Sequence, residues 1–222
     1  MYKNIQRSFC ICAIALGISS CTKYINEQPD SLLTTSMIWQ TASTAEQYLN
    51  QVYSNVTVAP DDPMHLGGVD ETSCLIAGTD VRKLVTGNWS AQSGYDYWWP
   101  NWWQGIRQSL VFEASIGSVP SSLMSDSLKA QHICESEFLR GWFYWNLLRQ
   151  YGPFPILRTT LSTSQSYSGI MQAPFDSCVA EINRLMDLAA AGLPKTWQSS
   201  ANYGRPTKGA CLSLKAEVAL LA

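Results

Sequence analysis

Residues 134–157 read CESEFLRGWFYWNLLRQYGPFPIL, and this stretch decides the fold. The apolar residues do not keep to one stripe. Phe138, Leu139, Trp142, Phe143, Tyr144, Trp145, Leu147 and Leu148 cover most of the circumference of a helix running from Glu135 to Tyr151. A helix that is apolar nearly all round is buried on several sides. Glu135, Glu137, Arg140 and Arg149 make it too charged, and its length too short, to cross a bilayer. It is therefore the central helix of an all-α core. Gly152 is placed to close the last turn in the left-handed conformation, and Pro153 and Pro155 cannot continue it.

The same residues carry a family resemblance. Glu135, Phe138, Leu139 and Arg140, then Trp142, Phe143, Tyr144 and Leu147, then Tyr151, Gly152 and Pro155 form a Glu-x-x-Phe-Leu-Arg run, an aromatic block and a Leu-x-x-x-Tyr-Gly-x-x-Pro stop. This pattern resembles the SusD/RagB family of outer-membrane nutrient-binding lipoproteins. A second run, Tyr203-Gly204-Arg205-Pro206-Thr207-Lys208-Gly209-Ala210, resembles the family motif that opens a repeat helix. Trp39 and Tyr53 match its opening pattern, and Asp70-Glu71 resembles an acidic pair carried at the same place. The helical pattern from Lys208 runs to Ala222 without a stop signal, and family members continue to more than double this length. The chain is accordingly read as an N-terminal portion, truncated at its C-terminus.

Outward from the central helix, the chain alternates helical patterns with polar links. Ser43-Thr44-Ala45-Glu46 is a capping-box pattern ahead of Tyr48, Leu49, Val52 and Tyr53 at helical spacing. Residues 57–94 read as irregular, punctuated by Pro60, Pro63 and five glycines. A helix is expected from Tyr97 to Ile116. A polar link, SVPSSLMSDS, precedes the central helix. Pro174 and Pro206 each open a further helix. Gly209, Ala210, Ala216 and Ala219 are small enough for close approach of a neighbour. The succession suggests antiparallel helix pairs stacked in a tetratricopeptide-like superhelix, although the strict repeat of roughly 34 residues is absent. Such a scaffold offers surfaces for partners and does not by itself imply catalysis.

The first twenty residues are not fold. Lys3 and Arg7 give a positive start, Phe9 to Ile18 form a short apolar run, and Ile18-Ser19-Ser20-Cys21 has the pattern of a bacterial lipobox. Cys21 would carry the lipid; an ordinary signal peptide with an incidental cysteine is the alternative. Two or three acyl chains on one cysteine anchor a protein stably where one chain does not. The chain is therefore divided into a lipoprotein signal peptide (1–20), a lipidated tether (21–36) and an incomplete α-helical domain (37–222). The resemblance implies attachment to the cell outer membrane, facing the cell exterior. Only Glu27 and Asp30 are available for the acidic cluster that exported family members carry after the cysteine.

Removing the leader leaves 13 of the 15 basic residues against 17 acidic ones, a formal charge of −4. No basic face is available to neutralise phosphates, so nucleic acid is excluded as a partner. Cys74, Cys134, Cys178 and Cys211 remain after the leader and lipid cysteines, with no C-x-x-C spacing and neither His65 nor His132 at ligand spacing. No metal or cofactor is expected. A disulfide among the four cysteines is left unassigned, and Cys134, Cys178 and Cys211 read as small buried residues in helices.

Trp98-Trp99-Pro100-Asn101-Trp102-Trp103 is the strongest local chemistry. Tryptophan rings stack on the C–H faces of sugars, and a nearby Asn holds the hydroxyls. Four exposed tryptophans would exceed the roughly 300–600 Å² of apolar patch that a soluble surface tolerates. The cluster is thus read as mainly core with one ring reaching a ligand. Trp98 and Asn101 are the candidates, because the Pro100 bend places them at the helix start. Arg140 is read as half of an ion pair with Glu137 three residues before it. His132 and Cys134 are the only candidate dyad, and residues two apart on a helix diverge. No nucleophile–base–orienter set emerges, so the chain is not read as an enzyme.

The resemblance implies a binding protein for polysaccharide utilisation and nutrient uptake. It would capture an oligosaccharide or peptide and pass it to a SusC-like TonB-dependent β-barrel transporter. The competing reading is a helical-repeat adaptor lipoprotein for outer-membrane assembly, with no small-molecule ligand.

Overall fold

The structure, a computed structural model, describes residues 35–56, 76, 79–90, 92–94, 98–162, 164 and 166–222. Thr35–Ile38 forms a single helical turn. Trp39–Ala222 forms a separate compact unit whose described residues contain six α-helices: α1 Ala42–Tyr53, α2 Asp80–Thr86, α3 Trp98–Ser115, α4 Asp126–Tyr151, α5 Phe175–Gly192 and α6 Lys208–Leu221. No strand occurs among the described residues. The all-α expectation holds, and the central helix is nine residues longer at its start than the sequence suggested.

That extension has a local cause. Ser125 caps α4 by accepting a hydrogen bond from the Leu128 amide at 3.3 Å. Lys129 then folds back to Asp126 at 3.0 Å and to Ser121 at 3.2 Å, so the helix takes in the last two residues of the polar link and runs on through residues 128–134. Capping differs at α1 as well. Thr41, rather than Ser43, is the N-cap, and its hydroxyl accepts from the Thr44 amide at 3.2 Å. Thr79 and Thr207 cap α2 and α6 in the same way, so α6 begins after Thr207 rather than at Pro206. The short helix α2 lies within the stretch read as irregular.

Helices α3, α4 and α5 pack as consecutive antiparallel neighbours. Trp99 at the start of α3 meets Tyr151 at the end of α4, and Glu113 near the end of α3 meets Arg140 further back on α4. Cys134 early on α4 reaches the Leu188 carbonyl late on α5. Two glycines allow this closeness. A Cβ on Gly105 of α3 would lie 2.5 Å from the Phe143 ring, and one on Gly141 of α4 would overlap Met186 of α5. By contrast, Ala216 and Ala219 on α6 are exposed, and a Cβ on Gly209 would meet only Thr207. The close approaches expected on α6 occur on α3 and α4 instead.

The core collects the apolar faces of these elements. Leu49, Ile106, Phe112, Phe143, Leu147, Ile182, Leu185 and Val218 are fully enclosed. The stop after α4 is built into this core. Gly152 has positive φ as expected, but at φ 80°, ψ −159° it is extended rather than left-handed helical, in a region reserved for glycine. The chain reverses there, and Phe154 turns inward to stack on Tyr144 with ring centroids 4.4 Å apart. The Phe154 amide donates to the Cys178 sulfur at 3.4 Å, and the Tyr144 hydroxyl both donates to the Leu157 carbonyl and accepts from its amide.

Candidate functional site

The two sequence motifs meet at one carboxylate. Glu135 on α4 has no solvent exposure. One carboxylate oxygen accepts from the Tyr53 hydroxyl at 2.6 Å and from the Arg205 guanidinium at 2.7 Å; the other contacts His132 Nδ1 at 2.9 Å. The Arg205 guanidinium also sits over the Tyr53 ring, 5.8 Å from its centroid. Burial alone would push the Glu135 carboxyl up, but the hydrogen bonds from His132 and Tyr53 and the charge of Arg205 outweigh it and hold it below the ordinary value. Burial and the same carboxylate push the Tyr53 hydroxyl far up, so it stays a donor.

Glu135 and Arg205 therefore act as a structural clamp joining α1, α4 and the loop before α6. Gly204 supplies a positive φ of 90° in that loop, Thr207 caps α6, and the Lys208 amide donates to the Pro194 carbonyl at 2.9 Å. Sequence reasoning set His132 beside Cys134. Its partner is Glu135, one helical turn on, and that i,i+3 spacing was the available signal.

Arg140 belongs to a second polar cluster. Its guanidinium pairs with Glu113 of α3 at 2.8 Å, not with Glu137, because α3 crosses directly over this face of α4. Ser136 donates to the other Glu113 oxygen at 3.1 Å. Burial raises the Glu113 carboxyl against the pull of Arg140. Burial, reinforced by Glu113, pushes the Glu137 carboxyl up to about 7. Leu139 is buried beside this cluster, and Phe138 is half-buried.

The aromatic cluster divides as its helical register dictates. Trp102 is enclosed and Trp103 half-buried, with Trp103 edge-on to Tyr144 at 6.4 Å. Trp98 and Asn101, in the first turn of α3, are half-buried. Trp99 is the open ring, 42% exposed. It packs edge-on against Tyr151 of α4, 4.8 Å between centroids, and Tyr151 is itself 37% exposed. Trp98, Asn101 and Tyr151 are thus brought to one end of the α3–α4 pair. Trp99 joins them there; positions 98/102 and 99/103 form two adjacent stripes on the helix, and the sequence could not single out Trp99 because only the packing of α4 decides which stripe faces outward.

Cys134, Cys178 and Cys211 are free thiols, the last two fully buried. No group of three or more potential metal ligands occurs among the described residues. No described helix is long and apolar enough to cross a membrane. The expectations for the leader, Cys21, residues 21–34 of the tether, Asp70-Glu71 and Cys74 fall outside the described residues; the last two tether residues, Thr35 and Ser36, open the helical turn Thr35–Ile38.

An all-α stack of helix pairs, clamped at Glu135 and open at an aromatic end, is the class this geometry defines. The family model described as "Starch-binding associating with outer membrane" matches residues 23–220. The chain belongs to this SusD-like family. A SusD-like protein from Bacteroides fragilis has the same fold at a TM-score of 0.70 and 24% identity, over 84% of this chain and 36% of its own. A laminarin-binding SusD-like protein superposes at 0.68 and 19% identity, over 82% and 40% of the two chains. The surface glycan-binding protein A of Bacteroides fluxus does so at 0.61 and 20% identity, again over 82% and 40%. The chain spans little more than a third of the length of these structures. No curated protein matches it in sequence.

Proposed function

We propose that this chain belongs to an outer-membrane lipoprotein that binds oligosaccharide and passes it to a SusC-like TonB-dependent transporter. In this reading residues 1–20 are the leader, Cys21 carries the lipid, residues 21–36 are the tether, and residues 37–222 belong to the binding domain. Its work is binding and release. The observation that carries the reading is the exposed Trp99 ring beside Tyr151, with Trp98 and Asn101 in the same first turn of α3. Trp99 and Tyr151 touch, so they form a contiguous pair of part-exposed rings rather than a lone apolar side chain, and contiguous apolar surface is what a contact site offers. A tryptophan face supplies apolar area to a sugar ring at small entropic expense, while an adjacent amide can both donate and accept. The descriptions of the matched family and of the laminarin-binding and glycan-binding structures agree with this ligand class.

Affinity electrophoresis through gels holding laminarin, starch or xylan tests the reading. The protein should be retarded by at least one glycan, and Trp99→Ala or Trp98→Ala should abolish the retardation without unfolding the chain. Migration unchanged on every glycan, with outer-membrane assembly proteins co-purifying, would replace this reading by the adaptor role. Release of Cys21→Ala from the membrane fraction tests the anchor, and its retention there would overturn it.

A further inference from the structure

A separate cleft of about 390 Å³ opens in the loop between α5 and α6, lined by residues of the 195–207 segment. Its size falls within the range of roughly 300–1,000 Å³ usual for small-molecule sites. Two aromatic residues, Trp197 and Tyr203, are among those that line it. The Trp197 indole is half-buried and held by a hydrogen bond from its Nε1 to the Pro206 carbonyl at 3.0 Å. Tyr203 is 95% exposed, so its ring adds nothing to the core. Its backbone is nevertheless fixed: the Tyr203 amide donates to the Ser200 carbonyl, and the Arg205 amide donates to the Asn202 carbonyl, each at 3.1 Å. Arg205 is locked in turn on Glu135. An open ring on a rigid loop is preorganised for a contact.

The polar lining narrows the ligand. The side chains of Lys195, Gln198, Ser200 and Asn202 make no hydrogen bond or ion pair within the described residues. Among the described residues no carboxylate lines the cleft, and Arg205 is already neutralised by Glu135. The cleft thus offers the Trp197 indole, a freely exposed Tyr203 ring at its rim, uncommitted neutral donors and acceptors, and one positive charge unopposed among the described residues. This set suits a polyhydroxylated ring and favours an acidic one over a cationic one.

We propose that this cleft is a second saccharide subsite, with Tyr203 as the stacking ring and Lys195 as the group that prefers a sugar acid. The assignment rests on the saccharide-binding reading given above, and the test separates the two. The full chain is labelled with 5-fluorotryptophan, the Trp197 and Trp99 signals are assigned by Trp197→Phe and Trp99→Phe, and trigalacturonate and laminaritriose are titrated. The Trp197 signal should move with both, at lower concentration for trigalacturonate. Tyr203→Ala should raise the concentration needed by about tenfold, leaving the Trp99 titration and the melting temperature unchanged. Lys195→Met should abolish the preference for the acid. A Trp197 signal that stays fixed while that of Trp99 moves overturns the subsite alone, as does a Tyr203→Ala titration identical to the wild type. Movement at Trp197 only keeps the subsite and removes the Trp99 surface. No movement at either overturns both.

Discussion

The two ends of α4 put their polar and aromatic groups to opposite uses. Near its start, Glu135 is enclosed and every partner around it is committed to the fold. At its far end, Tyr151 stays part-open and holds the edge of the exposed Trp99 ring. Two carboxylates within the first region sharpen the lesson. Glu135 is more deeply buried than Glu137, yet its carboxyl is held below the ordinary value while that of Glu137 is pushed up to about 7. Burial raises both; three partners aimed at Glu135 reverse the sign, and Glu137 has only the more distant charges of Arg140 and Arg184 against the like charge of Glu113.

If the first region is structural, its loss should be the most damaging change. Arg205→Ala leaves the Glu135 charge enclosed without its cation, and we expect a loss of about 3–5 kcal/mol in urea unfolding. A loss below about 1 kcal/mol would show that the clamp is dispensable. Gly105→Ala forces the Phe143 ring away and should cost about 1–3 kcal/mol by the same measurement. An unchanged midpoint would mean that α3 and α4 do not approach as closely as described.

The contrast between the two glutamates predicts opposite pH responses. The raised Glu137 contributes stability that is complete below the unfolded carboxylate value of about 4.3 and is lost as pH rises toward about 7. The lowered Glu135 contributes stability present above that unfolded value and lost as pH falls through its folded one. Glu137→Gln should therefore raise the melting temperature at pH 8 and leave it near that of the wild type at pH 4. A variant curve parallel to the wild type across this range would contradict the assignment. The smallest effect belongs to the other end of the helix. Trp99→Ala should change stability by about 1 kcal/mol or less, since much of the ring already faces solvent. A loss of several kcal/mol would make the ring part of the core.

The helix within the 134–157 stretch was legible because an all-round apolar pattern with a Gly-Pro stop has few other solutions. The clamp was half legible. Glu135 and Arg205 could be picked out as motif residues, but nothing local says that they touch each other, or that Tyr53 joins them. The same limit applies to Arg140, whose partner comes from α3 rather than from its own helix. Helix starts were misjudged where several threonines or serines compete as caps, as at Thr41 and Ser125. The Trp98–Trp103 run could be divided into two stripes, but which one faces outward depended on where Tyr151 lands.

The clamp also bears on the timing of folding. Its bonds from Tyr53 and Arg205 to Glu135 span 82 and 70 residues of chain, longer than the 23 to 54 residues spanned by the contacts described among α3, α4 and α5. The longer closures cost somewhat more chain entropy, about 0.6 kcal/mol for each doubling of the loop. These contacts should thus form after the rate-limiting step, so that weakening them accelerates unfolding and leaves the refolding rate almost untouched. On that account the Glu135 carboxylate governs how long the native state survives, not how quickly it is reached.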